Sequence, residues 1–463
     1  MQRKNITITD EQENWINEQS GFNLSQEVQD MLDAKIENEE WSLTTVSHNN
    51  GIKLGRNAIS EECNQFNPFD FPQGFNGLTM GDISAGKTVT NILALSQLVE
   101  QSDIDEEPLV IMIDGLGVLA DFTSEYGGQR YNVSDDQFNL NPLEFAPPVY
   151  DTNGYLEDRV EELIGLLQTI FADNQQIPDH TSPEKWQVLY SAIYVLLEEK
   201  SEQQLGDEFP SSLDEMFDGD YIDNQLTIRD HLIPELWKVS TGDSRVNDQV
   251  EYANIPTQSW GQRLLDSLEV FRNGDGFISH LTGETTVEVP TDENLVCLDY
   301  SNISQPGPET PYMLYLQAYR WSQMIERPTM IYIDQGKELI QNGHAHTVLE
   351  SSLRHARHYD LSVQINAGSI AMVSESEFVK SLIDLCDHIT IHRSENIADQ
   401  SYEWLHSQLD LDEVHIEYIQ NCRLGTQERG YSEAAMKFPG VGWQPVRIFP
   451  ETERQEDLIQ NRL

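Results

Sequence analysis

The stretch GDISAGKT, residues 81–88, matches the pattern G-x-x-x-x-G-K-[S/T] at every fixed position. It follows GLTM, which is typical of a short buried strand, and it opens KTVTNILALSQLVEQS, whose apolar spacing is typical of an amphipathic helix. Between a strand and a helix, this pattern predicts a loop whose backbone amides surround phosphate groups, with help from the partial positive charge of the helix N-terminus. We therefore expect this phosphate loop to bind ATP.

The residue types in the phosphate loop have physical reasons. Gly81 and Gly86 let the backbone curl around phosphate oxygens. Lys87 can reach the terminal phosphates, and the Thr88 hydroxyl can coordinate Mg²⁺. A chance match in a helix-capping loop is the alternative. The residues predicted to contact the nucleotide are Gly81, Asp82, Ile83, Ser84, Ala85, Gly86, Lys87 and Thr88.

A magnesium site of this kind also needs an acidic residue at the end of a neighbouring strand. TMIYIDQGKELI, Thr329 to Ile340, begins as a buried strand that ends in Asp334, and we expect Asp334 to hold Mg²⁺ through water. Asp114, at the end of LVIMID, is the second candidate, and Asp299 ends a third apolar run. Any of these carboxylates could instead cap the turn that follows its strand.

Strand-like and helix-like segments alternate from Ile52 onward, which predicts an α/β fold with a mostly parallel sheet. Three long segments between Tyr155 and Gly274 have helical spacing and predict an insertion, and EAAMKF with WQPVRIF predicts a closing hairpin at the sheet edge. The predicted units are an arm (1–40), a linker (41–51), a first core part (52–150), a helical insertion (151–275) and a second core part (276–463).

The N-terminal arm has a pattern of its own. NITIT alternates like a strand, and two helical segments follow, the first with the spacing of a capping box at Thr9 and Gln12. Strand, helix, helix in this order resembles a ribbon-helix-helix unit, which dimerises through its strand and places it in the DNA major groove. A plain helical appendage is the alternative.

The charge of the chain is extreme. The 463 residues include 79 Asp and Glu against 28 Lys and Arg, for a formal net charge of -51 spread along the whole length. At about 1 M salt the Debye length is about 3 Å, so this self-repulsion is tolerable in concentrated salt. We expect a cytoplasmic protein of an extreme halophile, and any contact with DNA must use a few placed groups. No apolar run is long enough to predict a membrane span.

The order of the sequence blocks adds a family resemblance. GDISAGKT, MIDGLGVLADFTSEYGG, FNLNPLEF, LVCLDYSNI, IYIDQGKEL and GWQPVRIFPETE together resemble conjugative, type IV secretion ATPases of the HerA–FtsK superfamily, from Ile52 to Arg454. The resemblance implies a RecA-like P-loop domain that assembles as a hexameric ring with ATP between subunits. It also implies DNA or a secreted substrate as cargo and docking on a membrane secretion complex.

The resemblance implies an arginine that faces the phosphates of the neighbouring subunit. Arg357, in RHARHY, lies where these proteins often carry such a residue, and Arg354 and Arg393 are alternatives. An arginine there would stabilise charge that develops in the transition state. Arg357 could instead be a cation near a helix end that pairs with local acids.

Two positions depart from the family pattern. The catalytic Asp-Glu pair is Asp334-Gln335 here, and the glutamine that senses the γ-phosphate aligns with Gly368. Gln335 can orient a water but cannot take its proton, and loss of a positioned base commonly costs about 10²-fold in rate. Glu338, one turn further on, or Asp114 could take the place of the missing base.

The sequence leaves three functions open. The first is an ATPase that powers DNA transfer or secretion, and the second is a nucleotide-binding, poorly hydrolysing scaffold or regulatory subunit of the same assembly. The third is another P-loop activity, such as a DNA-packaging motor. A metal site among His344, His346, His355 and His358 lacks a Glu or Cys to complete it and is disfavoured.

Overall fold

The structure is a computed structural model. It describes residues 41–48, 50–71, 74–100, 107–144, 155–173, 182–205, 226–251, 255–273, 276–304, 306–325, 327–376, 378–425 and 430–460. The predicted N-terminal arm, 1–40, lies outside the described residues, and so its strand-helix-helix pattern stays a prediction.

Within the described residues, eleven strands form one sheet in the order β2-β1-β11-β10-β9-β3-β8-β7-β4-β6-β5. The strands are β1 Ile52–Asn57, β2 Cys63–Phe66, β3 Gly77–Met80, β4 Leu109–Asp114, β5 Gln129–Asn132, β6 Leu295–Asp299, β7 Thr329–Ile333, β8 Leu361–Gly368, β9 His388–His392, β10 Ser432–Phe438 and β11 Gly442–Ile448.

The seven strands from β9 to β5 in this order run parallel, and the four at the other end are antiparallel. The α/β class with a mostly parallel sheet is therefore confirmed. The predicted hairpin also forms, between β10 and β11, but its position at the sheet edge was wrong. β1 pairs with β11, and β2 pairs with β1 beyond it, so two further strands lie outside the hairpin.

The helices connect and cover the sheet. They are α1 Lys87–Glu100, α2 Ala120–Glu125, α3 Tyr155–Asp173, α4 Pro183–Leu205, α5 Ile233–Thr241, α6 Arg245–Glu251, α7 Thr257–Asn273, α8 Glu309–Met324, α9 Lys337–Gln341, α10 Gly343–His355, α11 Ile370–Ser374, α12 Val379–Asp384, α13 Asp399–Leu409, α14 Glu413–Asn421 and α15 Glu453–Gln460. None of the helices in the described residues is long and apolar enough to span a bilayer.

Both faces of the sheet are buried, which explains why its central strands are continuously apolar. Successive side chains of β4 alternate between two hydrophobic clusters, with Ile111 and Ile113 on one face and Val110 and Met112 on the other. α1 packs on the second face. The described helices between β5 and β6 lie on the first face, where α3 contacts α8 and α10. Their apolar side chains join the same cluster as the sheet.

Parallel strands bring their carboxyl ends to one edge of the sheet, which we call the carboxyl edge. The opposite edge is called the amino edge. The residues that end or follow six of the seven parallel strands at the carboxyl edge are Gly81, Asp114, Asp299, Asp334, Gly368 and Arg393. In open α/β sheets ligands bind at this edge, so the fold collects the phosphate loop and the candidate carboxylates in one place.

Candidate nucleotide-binding site

The phosphate loop is tightly curled. Gly81 has φ 149°, Ser84 has φ 61° and Gly86 has φ 101°. A Cβ at Gly81 would lie 2.7 Å from the Cβ of His392, closer than side chains tolerate. Only glycine therefore fits at this position, both for its backbone angle and for its space. The tip of the loop reaches solvent, since Ile83 is 94% exposed.

Two neighbouring strand ends anchor the phosphate loop. The Gly81 N–H donates to the Gly368 carbonyl at 2.9 Å, and the Asp82 N–H donates to the Arg393 carbonyl at 2.9 Å. The Asp82 carboxylate accepts hydrogen bonds from the Ser394 hydroxyl and the Glu395 N–H, both at 2.9 Å. The Asp82 side chain thus fixes the loop to the turn after β9.

Lys87 lies inside the curl of the loop. Its ammonium donates to the carbonyls of Gly81 at 2.8 Å and Asp82 at 2.7 Å. Burial lowers the pKa of Lys87, while the nearby carboxylates of Asp334 and Asp82 oppose that shift. Thr88 follows on the first turn of α1 and is half-buried. A cation and a row of backbone amides thus converge on one concave surface.

Asp334 is fully buried at the end of β7. Its Oδ1 accepts hydrogen bonds from the Asn366 amide at 2.7 Å and from the Tyr332 hydroxyl at 3.3 Å. Its Oδ2 is buried and has no hydrogen-bond partner among the described residues. Burial raises the pKa of Asp334 to about 6, although Asn366, Tyr332 and the positive charge of Lys87 lower it in part.

The other two candidate carboxylates cap turns. Asp114 accepts backbone N–H bonds from Leu116, Gly117 and Leu119 at 2.7–3.0 Å, which engage both of its oxygens. Asp299 accepts the Ser301 N–H at 2.9 Å and forms an ion pair with Arg130. The alternative reading of a strand-end aspartate as a turn cap therefore describes Asp114 and Asp299. Asp334 keeps an oxygen available.

These residues fit magnesium with a nucleotide. Magnesium in such sites takes one or two protein oxygens and completes its shell with water and phosphate. A hydroxyl at Thr88 and an unpartnered carboxylate oxygen at Asp334 supply that limited set. In the described part of the chain, no three His, Cys, Asp or Glu side chains gather as a metal cluster.

Gln335 and Glu338 are the two residues predicted to occupy or replace the position of the catalytic base. Gln335 has φ 58°, a left-handed conformation that is uncommon outside glycine, and it is half-buried. Glu338 forms an ion pair with Lys337 at 3.2 Å, and its side chain is 41% exposed. Both residues lie at the carboxyl edge, on the turn and helix after β7. Among the described contacts, neither side chain reaches Lys87 or Asp334.

Gly368 supports the phosphate loop through its backbone. It has φ 89°, and its carbonyl accepts the Gly81 N–H. A Cβ at this position would lie 3.2 Å from the Met372 sulfur. Gly368 thus contributes its backbone to the loop, and a long side chain would be strained here.

The three candidate arginines lie in different places. Arg357 falls in the single turn Ala356–His358 before β8, at the amino edge, so its position is at the opposite edge from the phosphate loop of its own chain. Arg354 forms an ion pair with Glu350. Arg393 lies at the carboxyl edge, where it pairs with Glu395 at 2.7 Å and its carbonyl accepts the Asp82 N–H.

Sequence reasoning missed the residues that surround Asp334 and the loop. Asn366 is one of three polar residues of β8, with Ser362 and Gln364, and Tyr332 lies two residues before Asp334 on the same face of β7. Strand periodicity could have indicated Tyr332, because residues two apart point the same way, whereas Asn366 lies on another strand. His392 is buried beneath the loop against Gly81, and burial lowers its pKa to about 3, so its ring is neutral. No sequence pattern identifies His392 as part of the site.

Comparison with known proteins shows that the fold is similar to that of solved structures. The sequence matches no protein-family model and no curated protein. The structure is similar to that of VirB4 of Thermoanaerobacter pseudethanolicus, with a TM-score of 0.65 and 16% identity, covering 89% of this chain and 100% of that one. It is also similar to the plasmid coupling protein TrwB in complex with ADP and Mg²⁺, with a TM-score of 0.52 and 12% identity, over 90% and 92% of the two chains. The predicted RecA-like P-loop fold is confirmed by these likenesses.

Proposed function

We propose that this protein binds ATP with magnesium and, as an oligomeric ring, powers DNA transfer or conjugative type IV secretion. The observation that carries the proposal is the unpartnered, buried Oδ2 of Asp334, close enough to Lys87 for the two charges to shift each other's pKa. A buried carboxylate oxygen without a partner is costly, so its retention beside a phosphate loop favours a ligand that uses it.

In this proposal each part of the site has a distinct task. The backbone amides of residues 81–86 surround the phosphates, and Lys87 turns from the carbonyls of Gly81 and Asp82 toward the terminal phosphate. Thr88 and Asp334 would hold the metal. Magnesium, when bound, would neutralise charge on the phosphates.

The assembly and the partners are part of the same proposal. Two solved structures with a similar fold over most of the chain support this assembly and these partners. They are VirB4 and a plasmid coupling protein in complex with ADP and Mg²⁺. We propose a hexameric ring of identical chains with DNA as its cargo, attached peripherally to a membrane secretion complex from the cytoplasmic side. The charge of -51 supports a working environment of concentrated salt.

A second function is favoured by specific observations at the missing base. Gln335 cannot accept a proton, Asp114 commits both oxygens to backbone N–H groups, and Gly368 contributes only its backbone. A site with an intact phosphate loop and no placed base is expected to bind ATP but to hydrolyse it slowly. In this alternative the protein is a nucleotide-binding scaffold or regulatory subunit of the same assembly.

One experiment tests both functions. A fluorescent ATP analogue is titrated into folded protein in molar KCl with Mg²⁺, beside Lys87→Ala, and steady-state ATP hydrolysis is then measured with and without DNA. We expect saturable binding that Lys87→Ala removes. Turnover above the Lys87→Ala background supports the motor, and saturable binding with background turnover supports the scaffold. No saturable binding by folded wild-type protein would overturn both.

A further inference from the structure

The carboxylate of Asp334 is held from one side only. Oδ1 accepts two hydrogen bonds, from Asn366 at 2.7 Å and from Tyr332 at 3.3 Å, and Oδ2 accepts none from the described residues. The Tyr332 hydroxyl in turn accepts a hydrogen bond from the Asn91 amide at 3.3 Å. Asn91 lies one helical turn after Lys87 on α1, so the carboxylate is oriented from both the sheet and the helix that begins at the phosphate loop.

Asn366 has an unused oxygen of its own. An ionised carboxylate only accepts hydrogen bonds, so the atom of Asn366 that faces Asp334 is its amide nitrogen. Its Oδ1 is then left without a partner, buried in a side chain that is 1% exposed. Two adjacent side chains at the carboxyl edge thus each have one buried, empty acceptor oxygen.

Two empty acceptor oxygens on side chains that are hydrogen-bonded to each other suit a molecule that donates to both. Water bound to a metal ion is such a donor, because the metal polarises its O–H groups. The Lys87 ammonium lies nearby, but it donates two of its three N–H groups to the carbonyls of Gly81 and Asp82. A hydrated cation bound with the nucleotide would supply donors to both oxygens.

We propose that Asn366 is a positioning residue for magnesium: its amide fixes Asp334, and its Oδ1 accepts a hydrogen bond from the metal's water shell next to Asp334 Oδ2. This inference rests on the proposed binding of Mg²⁺ with ATP. It places the second polar contact on β8, between the strands of the phosphate loop and of Asp334. Gly368, two residues later on the same strand, has no side chain to supply that contact.

The test measures how much magnesium strengthens nucleotide binding. The dissociation constant of the fluorescent ATP analogue is determined in molar KCl with excess Mg²⁺ and again with EDTA, and the ratio of the two is the magnesium gain. Partners of metal ligands typically contribute about 10- to 100-fold in metal affinity. For Asn366→Ala we expect the magnesium gain to fall about 10-fold, toward that of Asp334→Asn, with affinity in EDTA unchanged.

A matched control separates positioning from folding. Asn76 is also buried, and its amide donates to the carbonyls of Leu353 and Leu385 at the amino edge. Asn76→Ala should lower thermal stability and leave the magnesium gain as in the wild type. If Asn366→Ala does not fold, Asn366→Ser, with a hydroxyl too short to reach Asp334, takes its place.

The outcomes distinguish this inference from the proposed function. A reduced magnesium gain with unchanged EDTA affinity supports the role of Asn366. A full magnesium gain in folded Asn366→Ala or Asn366→Ser overturns it and leaves the proposed function standing. Absence of saturable binding by wild-type protein overturns the proposed function, and this inference with it.

Discussion

The backbone of Gly81 is hydrogen-bonded to that of Gly368: the N–H of the first residue of the phosphate loop donates to the carbonyl that ends β8, at 2.9 Å. Two glycines with positive φ angles therefore meet at the centre of the carboxyl edge. This contact links the conformation of the loop to the strand that carries Asn366.

Gly368→Gln should not restore a sensing side chain. A side chain at φ 89° with a Cβ 3.2 Å from the Met372 sulfur is strained by about 1–2 kcal/mol. We expect a lower midpoint of thermal unfolding and no gain in ATP turnover. Differential scanning fluorimetry and a steady-state ATPase assay measure the two effects, and an increase in turnover would contradict the assignment of Gly368 as structural.

Gln335→Glu should raise the ATPase rate. The substitution keeps the size of the side chain and adds a group that can accept a proton from water. A positioned base contributes about 10²-fold, so we expect a gain of at least about 10-fold. The double variant with Lys87→Ala is the control and should stay at background. An unchanged rate would show that the missing base does not limit turnover.

Asp334→Asn should stabilise the nucleotide-free protein at pH 8. Burial raises the pKa of Asp334 to about 6, above the ordinary value of 3.8, so its charge opposes folding when ionised. The folded state binds more protons between these two pKa values, so this penalty is complete above pH 6 and disappears as the pH falls toward 4. A pKa difference of this size corresponds to about 3 kcal/mol at most. Urea unfolding of both proteins at pH 8 and pH 4.5 measures this, and an equal difference at both would disprove it.

Asp82→Ala should weaken nucleotide binding by loosening the loop. The carboxylate of Asp82 accepts two hydrogen bonds from the turn after β9, and bonds to a charged group contribute about 1.5–3 kcal/mol each. We expect affinity for the ATP analogue to fall about 10-fold. Glu395→Ala is the matched control, because Glu395 contributes only its backbone N–H to this anchor. Equal losses in both variants would argue against the anchor.

Thermal stability should rise steeply with salt. The net charge of -51 is spread over the chain, and its self-repulsion is screened at the short Debye length of molar KCl. We expect the unfolding midpoint to increase continuously from 0.1 M to 3 M KCl, as followed by circular dichroism. A midpoint independent of KCl would remove the argument for a halophilic protein.

Much of the fold could be predicted because its signals are local. GDISAGKT between a strand and a helix located the phosphate loop, and the apolar runs that end in Asp114, Asp299 and Asp334 located three parallel strands. The position of the final hairpin could not be predicted, since the pairing of β1 with β11 joins residues almost 400 positions apart. The division of the chain into units is still a prediction.

Only part of the site could be predicted from the sequence, because some of its contacts also join residues that are far apart in the chain. The sequence offered three strand-end aspartates, and hydrogen bonds formed in the fold separate two turn caps from the one with an open oxygen. Tyr332 lies two residues before Asp334 along the chain, but Asn366 becomes a partner of Asp334 only when β7 pairs with β8. Contacts of this kind depend on the register of strands, which residue types do not encode locally.

Arg357 and the phosphate loop belong to opposite edges of one sheet. If Arg357 acts on a terminal phosphate, that phosphate belongs to a different molecule, bound head to tail with unlike surfaces in contact. Such a site is complete only where two chains meet, so the specific activity of the protein would fall on dilution even though each chain keeps its nucleotide.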